Sequence, residues 1–172
     1  MEEHSNTISK LVLKETHRRL FDESFPRIKK CLNQLTEEET WHCPNEQTVS
    51  VGNLVLHLCG NARQWICGGM GNQPDTRVRQ KEFDETGPLP KETLIQLLDT
   101  TQKDLLPILE KLMEADLLRE YSVQGFTETG VAILIHVVEH FSYHTGQITW
   151  FVKAGKNIDM KYYDGINLDK TR

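Results

Sequence analysis

The stretch HVVEHFSYHTGQITWF, His136 to Phe151, decides how this chain is read. Three of the seven histidines recur there at every fourth position, beside residues as apolar as Ile133, Val137 and Phe151. Four residues make about one helical turn. At about 100° per residue, His140 and His144 stand one turn apart and about 40° around the axis, so both imidazoles can reach one point. His136 is two turns from His144, roughly 12 Å along the axis, so the three do not comfortably share one small ion. Two readings stand: a metal site, or a helix face that is merely polar.

On the same wheel Val131, Leu134, Ile135, Val138, Thr145, Thr149 and Val152 form one stripe, and Ile133, Val137, His140, His144 and Phe151 form another. That pattern predicts a helix buried on two sides. A mononuclear site would need a ligand from another helix, and His57 offers one. It shares a stripe with Leu54, Leu58, Asn61 and Trp65, the side that should face a helical core. Three neutral imidazoles suit zinc, nickel, iron or copper and leave at least one position open for water or substrate. A lone histidine on an apolar stripe is more often a core residue bonded within the protein. The four-residue pair plus a third buried histidine sets the metal reading beside that one.

The apolar period is helical almost throughout. A first helix is predicted over roughly Ser5 to Leu35, with Phe25, Ile28, Leu32 and Leu35 on one stripe and a kink or break at Pro26. Thr36-Glu37-Glu38-Glu39 has the form of a capping box leading towards Trp41. A second helix runs from near Ser50 to about Cys67, where Gly68, Gly69 and Gly71 stop it. A third runs from about Lys91 to Met113 with a bend at Pro107, and a fourth from about Thr127 to Lys153, ending at Gly155. The strand signal is confined to the short extended run Glu120 to Val123. These elements predict an all-α four-helix bundle in a single domain, residues 1–172. Between the second and third helices lies GGMGNQPDTRVRQKEFDETGPLP, about twenty residues that suit a functional lid or a crossover connection.

With 172 residues the chain can bury a core without disulfides or a structural metal, so a metal here would be functional. A net charge of -5 and the lack of any large Lys/Arg cluster argue against nucleic acid as a partner. The four cysteines form no C-x-x-C pair and read as reduced thiols without activation. The N-terminus has no uninterrupted apolar segment, and no apolar run reaches the ~18 residues a bilayer demands. These features point to a soluble, cytoplasmic protein with no membrane segment.

The run HVVEHFSYHTGQI, with NLVLHLCGNARQWI upstream, resembles the DinB superfamily, and more narrowly the DinB-like proteins grouped as a domain of unknown function. The resemblance covers nearly the whole chain: Trp41 to Pro44, the Asn53 to Ile66 helix, the RVRQKEF loop and the His-x3-His-x-Gly-Gln helix. It implies an up-down-down-up four-helix bundle, commonly a homodimer, with one divalent metal held by three histidines. Those ligands fall on His57, His140 and His144, while His136 has no ligand counterpart and becomes a neighbour of the site. The resemblance further implies a transferase or isomerase that works on a small molecule with a low-molecular-weight thiol such as bacillithiol, mycothiol or glutathione. A metal lowers the pKa of a bound thiol and holds the thiolate beside an electrophile; a bound water would make a hydrolase by the same logic. The alternative class is a non-catalytic metal or small-molecule binding protein. Nickel, zinc and iron all fit the ligand set.

Other schemes find less support. His140 and His144 have the spacing of the zinc protease helix, but Phe141 stands where that motif puts its general-base glutamate. GGMG lacks the terminal Lys-Ser/Thr of a phosphate loop. Asn61, Gln147 and Glu139 could fix imidazole tautomers behind the ligands, or could serve only as caps and surface contacts. Arg77, Arg79 and Glu82 could bind an anionic thiol or a substrate carboxylate; in the competing reading they make a salt-bridged loop that packs Phe83 onto the helices. The two stripes of the fourth helix, with Trp150 near its remaining side, exceed what one bundle covers, which predicts a homodimer. Alternatively the loop and the tail with Ile158, Met160, Tyr162 and Tyr163 fold back over that surface.

Overall fold

The computed structural model describes residues 2–87 and 89–171; Pro88, in the long connection, lies outside the described residues. The chain is mostly helical, with one small two-stranded sheet. Helix α1 (Glu2–His17) runs through a wide-turned segment, Arg18–Ser24, directly into α2 (Phe25–Leu32). In that segment hydrogen bonds span five residues: the Phe25 N–H donates to the Leu20 carbonyl and the Ser24 hydroxyl to the Arg19 carbonyl. Pro26 therefore does not break the helix. Its ring would clash with the carbonyl four residues back in a regular helix, and the wider turn gives it room.

The capping box at Thr36 is present and opens α3 (Glu37–Trp41). Ser50 and Asn53 form a second one at the start of α4 (Val51–Ala62), which continues through another wide-turned segment, Arg63–Met70. Gly68 and Gly69 thus lie inside the helical run, contrary to the expected stop, and Gly71 closes it by donating to the Ile66 carbonyl. An interior glycine costs only about 1 kcal/mol. Burial of Trp65, Ile66 and Cys67 on the same segment outweighs that.

The long connection carries a short helix, α5 (Arg79–Asp84), before α6 (Lys91–Leu109) and α7 (Glu114–Leu118). The extended run Glu120–Val123 is strand β1, paired antiparallel with β2 (Phe126–Thr129) through Gln124 and Gly125, both at positive φ. Thr127 is therefore in a strand. The last helix, α8 (Gly130–Lys156), begins three residues later than expected with Thr129 as its cap, passes through Gly155, and ends where Asn157 takes a left-handed conformation.

Helix α8 packs on α2 and α4, and α6 packs on the same two helices from the other side. Phe25 and Phe141, both fully buried, meet at 4.9 Å between these layers. The predicted stripe on α4 is buried throughout: Leu54, His57, Leu58, Asn61 and Trp65. On α8 the inward residues include Ile133, Leu134, Val137, Phe141, Thr145 and Ile148. Ile135, expected in a buried stripe, is 59% exposed, and Trp150 is 69% exposed. Met160 in the tail is buried, whereas Tyr163 is exposed, so the tail covers only part of the surface in question. No helix among the described residues is long and apolar enough to cross a membrane.

Candidate metal centre

Buried α4 brings His57 against the face of α8 that carries His140 and His144. One ring nitrogen from each lies within 4.8 Å of the others. The rings meet edge to face, with centroids 4.8 Å apart for His57 and His140, 5.4 Å for His57 and His144, and 4.5 Å for His140 and His144. This is the trio singled out in the sequence. His136, two turns from His144, stands aside: its ring stacks on His140 at 5.6 Å and lies tilted against Trp65 at 4.2 Å.

Hydrogen bonds decide which nitrogen each ring can offer. Nδ1 of His144 lies 2.6 Å from Oε1 of Gln147, a carbonyl oxygen that only accepts, so Nδ1 carries the hydrogen and the lone pair is on Nε2. Nδ1 of His57 lies 2.9 Å from Oε2 of Glu82 and 3.2 Å from Nη2 of Arg77. Two donors cannot share one hydrogen bond. Glu82 is an acceptor and Arg77 already donates to it, so His57 Nδ1 carries a hydrogen aimed at Glu82 and its lone pair is also on Nε2. Nε2 of His140 is buried without a hydrogen-bond partner. A core histidine ordinarily pairs such an atom.

The electrostatics favour the neutral form of the two rings on α8. Burial, and then the neighbouring imidazoles, push His140 down to about 3. Burial also lowers His144, although its bond to Gln147 acts the other way. Burial alone would raise Glu82, but the hydrogen bonds from Arg77 and His57 outweigh it and hold the carboxyl below the usual range. Three converging imidazoles with an unpartnered buried ring nitrogen among them are a donor set that could hold a divalent transition ion.

The remaining expected site residues divide. Gln147 reaches the His144 ring, whereas Asn61 contacts His136 at 3.3 Å. Arg77 is 5% exposed at its side chain and is directed inward: Nε and Nη2 to Glu82, Nη1 to Gln64. Arg79 is exposed and lies over the Phe83 ring, which in turn stands 4.9 Å from His57. The bond that His57 donates to Glu82 went unseen in the sequence, because no periodicity relates position 57 to position 82. All four cysteines are free, and burial pushes Cys59 up to about 12 and Cys67 to about 11.

A mostly helical chain with histidines from two helices meeting in its interior shares its fold with solved structures of DinB-like proteins. Solved structures with this fold include a conserved protein from Enterococcus faecalis, at 17% identity and TM-score 0.70, covering 83% of this chain and 97% of that one. A DinB-like protein from Bacillus subtilis matches at 18% identity and TM-score 0.64, covering 89% and 97%. Another from Bacillus cereus matches at 18% and 0.59, covering 78% and 87%. The chain belongs to the family described as Protein of unknown function (DUF1572), whose model matches residues 7–169. No curated protein matches it.

Proposed function

We propose that this chain is a four-helix bundle of up-down-down-up order, formed as one domain. In this reading it holds one divalent transition metal, nickel, zinc or iron, on His57, His140 and His144, and catalyses transfer involving a low-molecular-weight thiol. The observation that carries the metal is the convergence of three imidazoles around the unpaired Nε2 of His140. Such an ion would supply Lewis acidity, lowering the pKa of a thiol or a water and keeping its conjugate base beside an electrophile.

A thiol is favoured over water by what lies next to the ligands. Hydrolytic zinc helices place a carboxylate base directly after the first histidine. Here Phe141 occupies that place and is packed into the core on Phe25. Glu82 is committed to His57 and Arg77. A thiol, acidified far more readily than water, needs no such base. Exposed Arg79 is available to an anionic thiol or substrate carboxylate at the rim.

A second copy of the chain completes the proposal. Ile135, Tyr143 and Trp150 stand 59–69% exposed along α8. Between them a Cβ on Gly146 would meet nothing within 4 Å. The groove they form against α1 and the segment after it has a volume of about 1200 Å³. Its rim alternates Glu15, Arg19, Glu23 and Arg27, a pattern that is self-complementary about a two-fold axis.

The test is metal analysis of protein purified without a histidine tag, followed by a thiol-conjugation assay. About one ion per chain is expected, with most of it lost on alanine substitution of His57, His140 or His144 and retained on substitution of His136. Metal-loaded protein should accelerate thiol attack on an electrophile, and a chelator should abolish the rate. Ester or amide cleavage without thiol would move the reading to a hydrolase. Bound metal without turnover across several thiols would leave a binding protein.

A further inference from the structure

We infer that Glu82, clamped by Arg77, is a positioning residue: it selects the tautomer of His57 and ties the connection between α4 and α6 to the histidine site. The part of this that concerns metal affinity rests on the metal reading above, whereas the tautomer does not. Imidazole has two nitrogens, and only one tautomer of His57 turns a lone pair towards His140 and His144. An ionised carboxylate accepts and never donates, so Oε2 of Glu82, 2.9 Å from Nδ1, keeps the hydrogen there and the lone pair on Nε2.

The carboxylate is itself held on every side. Nε of Arg77 donates to Oε1 at 2.7 Å and Nη2 to Oε2 at 2.9 Å, while Nη1 is fixed by Gln64 at 2.8 Å. The side chains of Arg77 and Glu82 are 5% and 11% exposed, so solvent does little to loosen them. Gly60 makes the approach possible, since a Cβ there would sit 2.1 Å from Oε1. One turn before His57, the Asn53 carboxamide donates to the carbonyls of Glu82 and Glu85 at 2.9 and 2.7 Å. Asn53, His57, Gly60 and Gln64 thus lie on successive turns of one stripe. That stripe receives the loop and also presents the ligand.

A cation on Nε2 withdraws charge from the ring and makes Nδ1–H a stronger donor to Glu82. Linkage then requires reciprocity: the carboxylate raises affinity for the ion, and the ion secures the loop by the same factor.

Three readouts across wild type, Glu82→Ala and Glu82→Gln test this. In metal-free protein, nitrogen-15 spectra of the imidazoles should show His57 as the Nδ1–H form in wild type. The same form is expected with Glu82→Gln, whose carbonyl can still accept, while Glu82→Ala should shift towards Nε2–H. Titration with zinc alone should then be about 10–100-fold weaker in Glu82→Ala and nearer wild type in Glu82→Gln. Hydrogen exchange over residues 77–85 should slow on adding zinc to wild type and not to Glu82→Ala. An Nε2–H form of His57 in wild type overturns the proposal, as does unchanged tautomer and zinc affinity in Glu82→Ala. If Glu82→Ala does not fold, loss of the Nδ1–H form in folded Glu82→Gln overturns it and retention supports it. If wild type takes up no zinc, the metal reading and the affinity half fall together, and the spectra still decide the tautomer.

Discussion

Replacing Gly60 by alanine sets two opposed effects of known sign against each other. Inside a helix, alanine is favoured over glycine by about 1 kcal/mol. The new methyl would, however, lie 2.1 Å from Oε1 of Glu82 and 3.0 Å from Nε of Arg77, where ordinary contact begins near 3.4 Å. Glu82 must retreat by more than an ångström, which breaks its 2.7 Å bond from Arg77 Nε. A hydrogen bond to a charged group is worth about 1.5–3 kcal/mol. The net loss should be about 0.5–2 kcal/mol, or roughly 1–8 °C in melting temperature for a chain of this size. Gly155→Ala is the control, since it gains propensity on α8 with nothing within 4 Å of the added carbon. Urea and thermal melts of both variants give the comparison. If Gly60→Ala is stabilised as much as Gly155→Ala, the buried clamp on His57 is not built as described.

Two further outcomes concern the thiols and the outer face of α8. Of the four cysteines, Cys43 is exposed while Cys31, Cys59 and Cys67 are buried, and burial raises all three of the latter. A chromogenic disulfide at neutral pH should therefore titrate one thiol in native protein and all of them in denaturant; a second fast thiol would contradict the packing around α2 and α4. Light scattering at micromolar concentration should give a mass of two chains for wild type. Trp150→Glu should shift it towards one while the helical fold is kept, because that side chain is 69% exposed in the single chain. A wild-type mass of one chain would refute the dimer.

The helices were legible because their signals are local. Thr36 and Ser50 announce helix starts through side chains that bond backbone within three residues, and both do so. Ends were less legible. Gly68, Gly69 and Gly155 resemble stop signals, yet all three lie within helical segments, because the burial of neighbours such as Trp65, Ile66 and Val152 decides where a helix stops. Thr127 read as helix because β2 is defined by its partner, and pairing with Ser122 is not written in its own residues. Pro26 read as a kink or break because i→i+5 bonding has no side-chain signature.

The site divides along the same line. His140 and His144 share a turn, and His57 shares a stripe with Leu54 and Leu58, so periodicity made all three candidates and the family resemblance selected them as a set. Periodicity could not locate Glu82, which reaches His57 from a connection whose course depends on tertiary contacts. Trp41 shows what directs that course: its ring fills the space beside Gly52 and Gly87, and its Nε1 donates to the Leu89 carbonyl at 3.0 Å. The far end of the connection is thereby fixed on α4, and Asn53 fixes its middle. With Glu82 behind it and Phe83 beside it, His57 is walled off and 6% exposed. His140 and His144 are half-buried, and Tyr143, 63% exposed, lies 5.0 Å from His144. The more exposed part of the histidine cluster therefore lies on α8. The loop governs the site chiefly by holding His57 from behind.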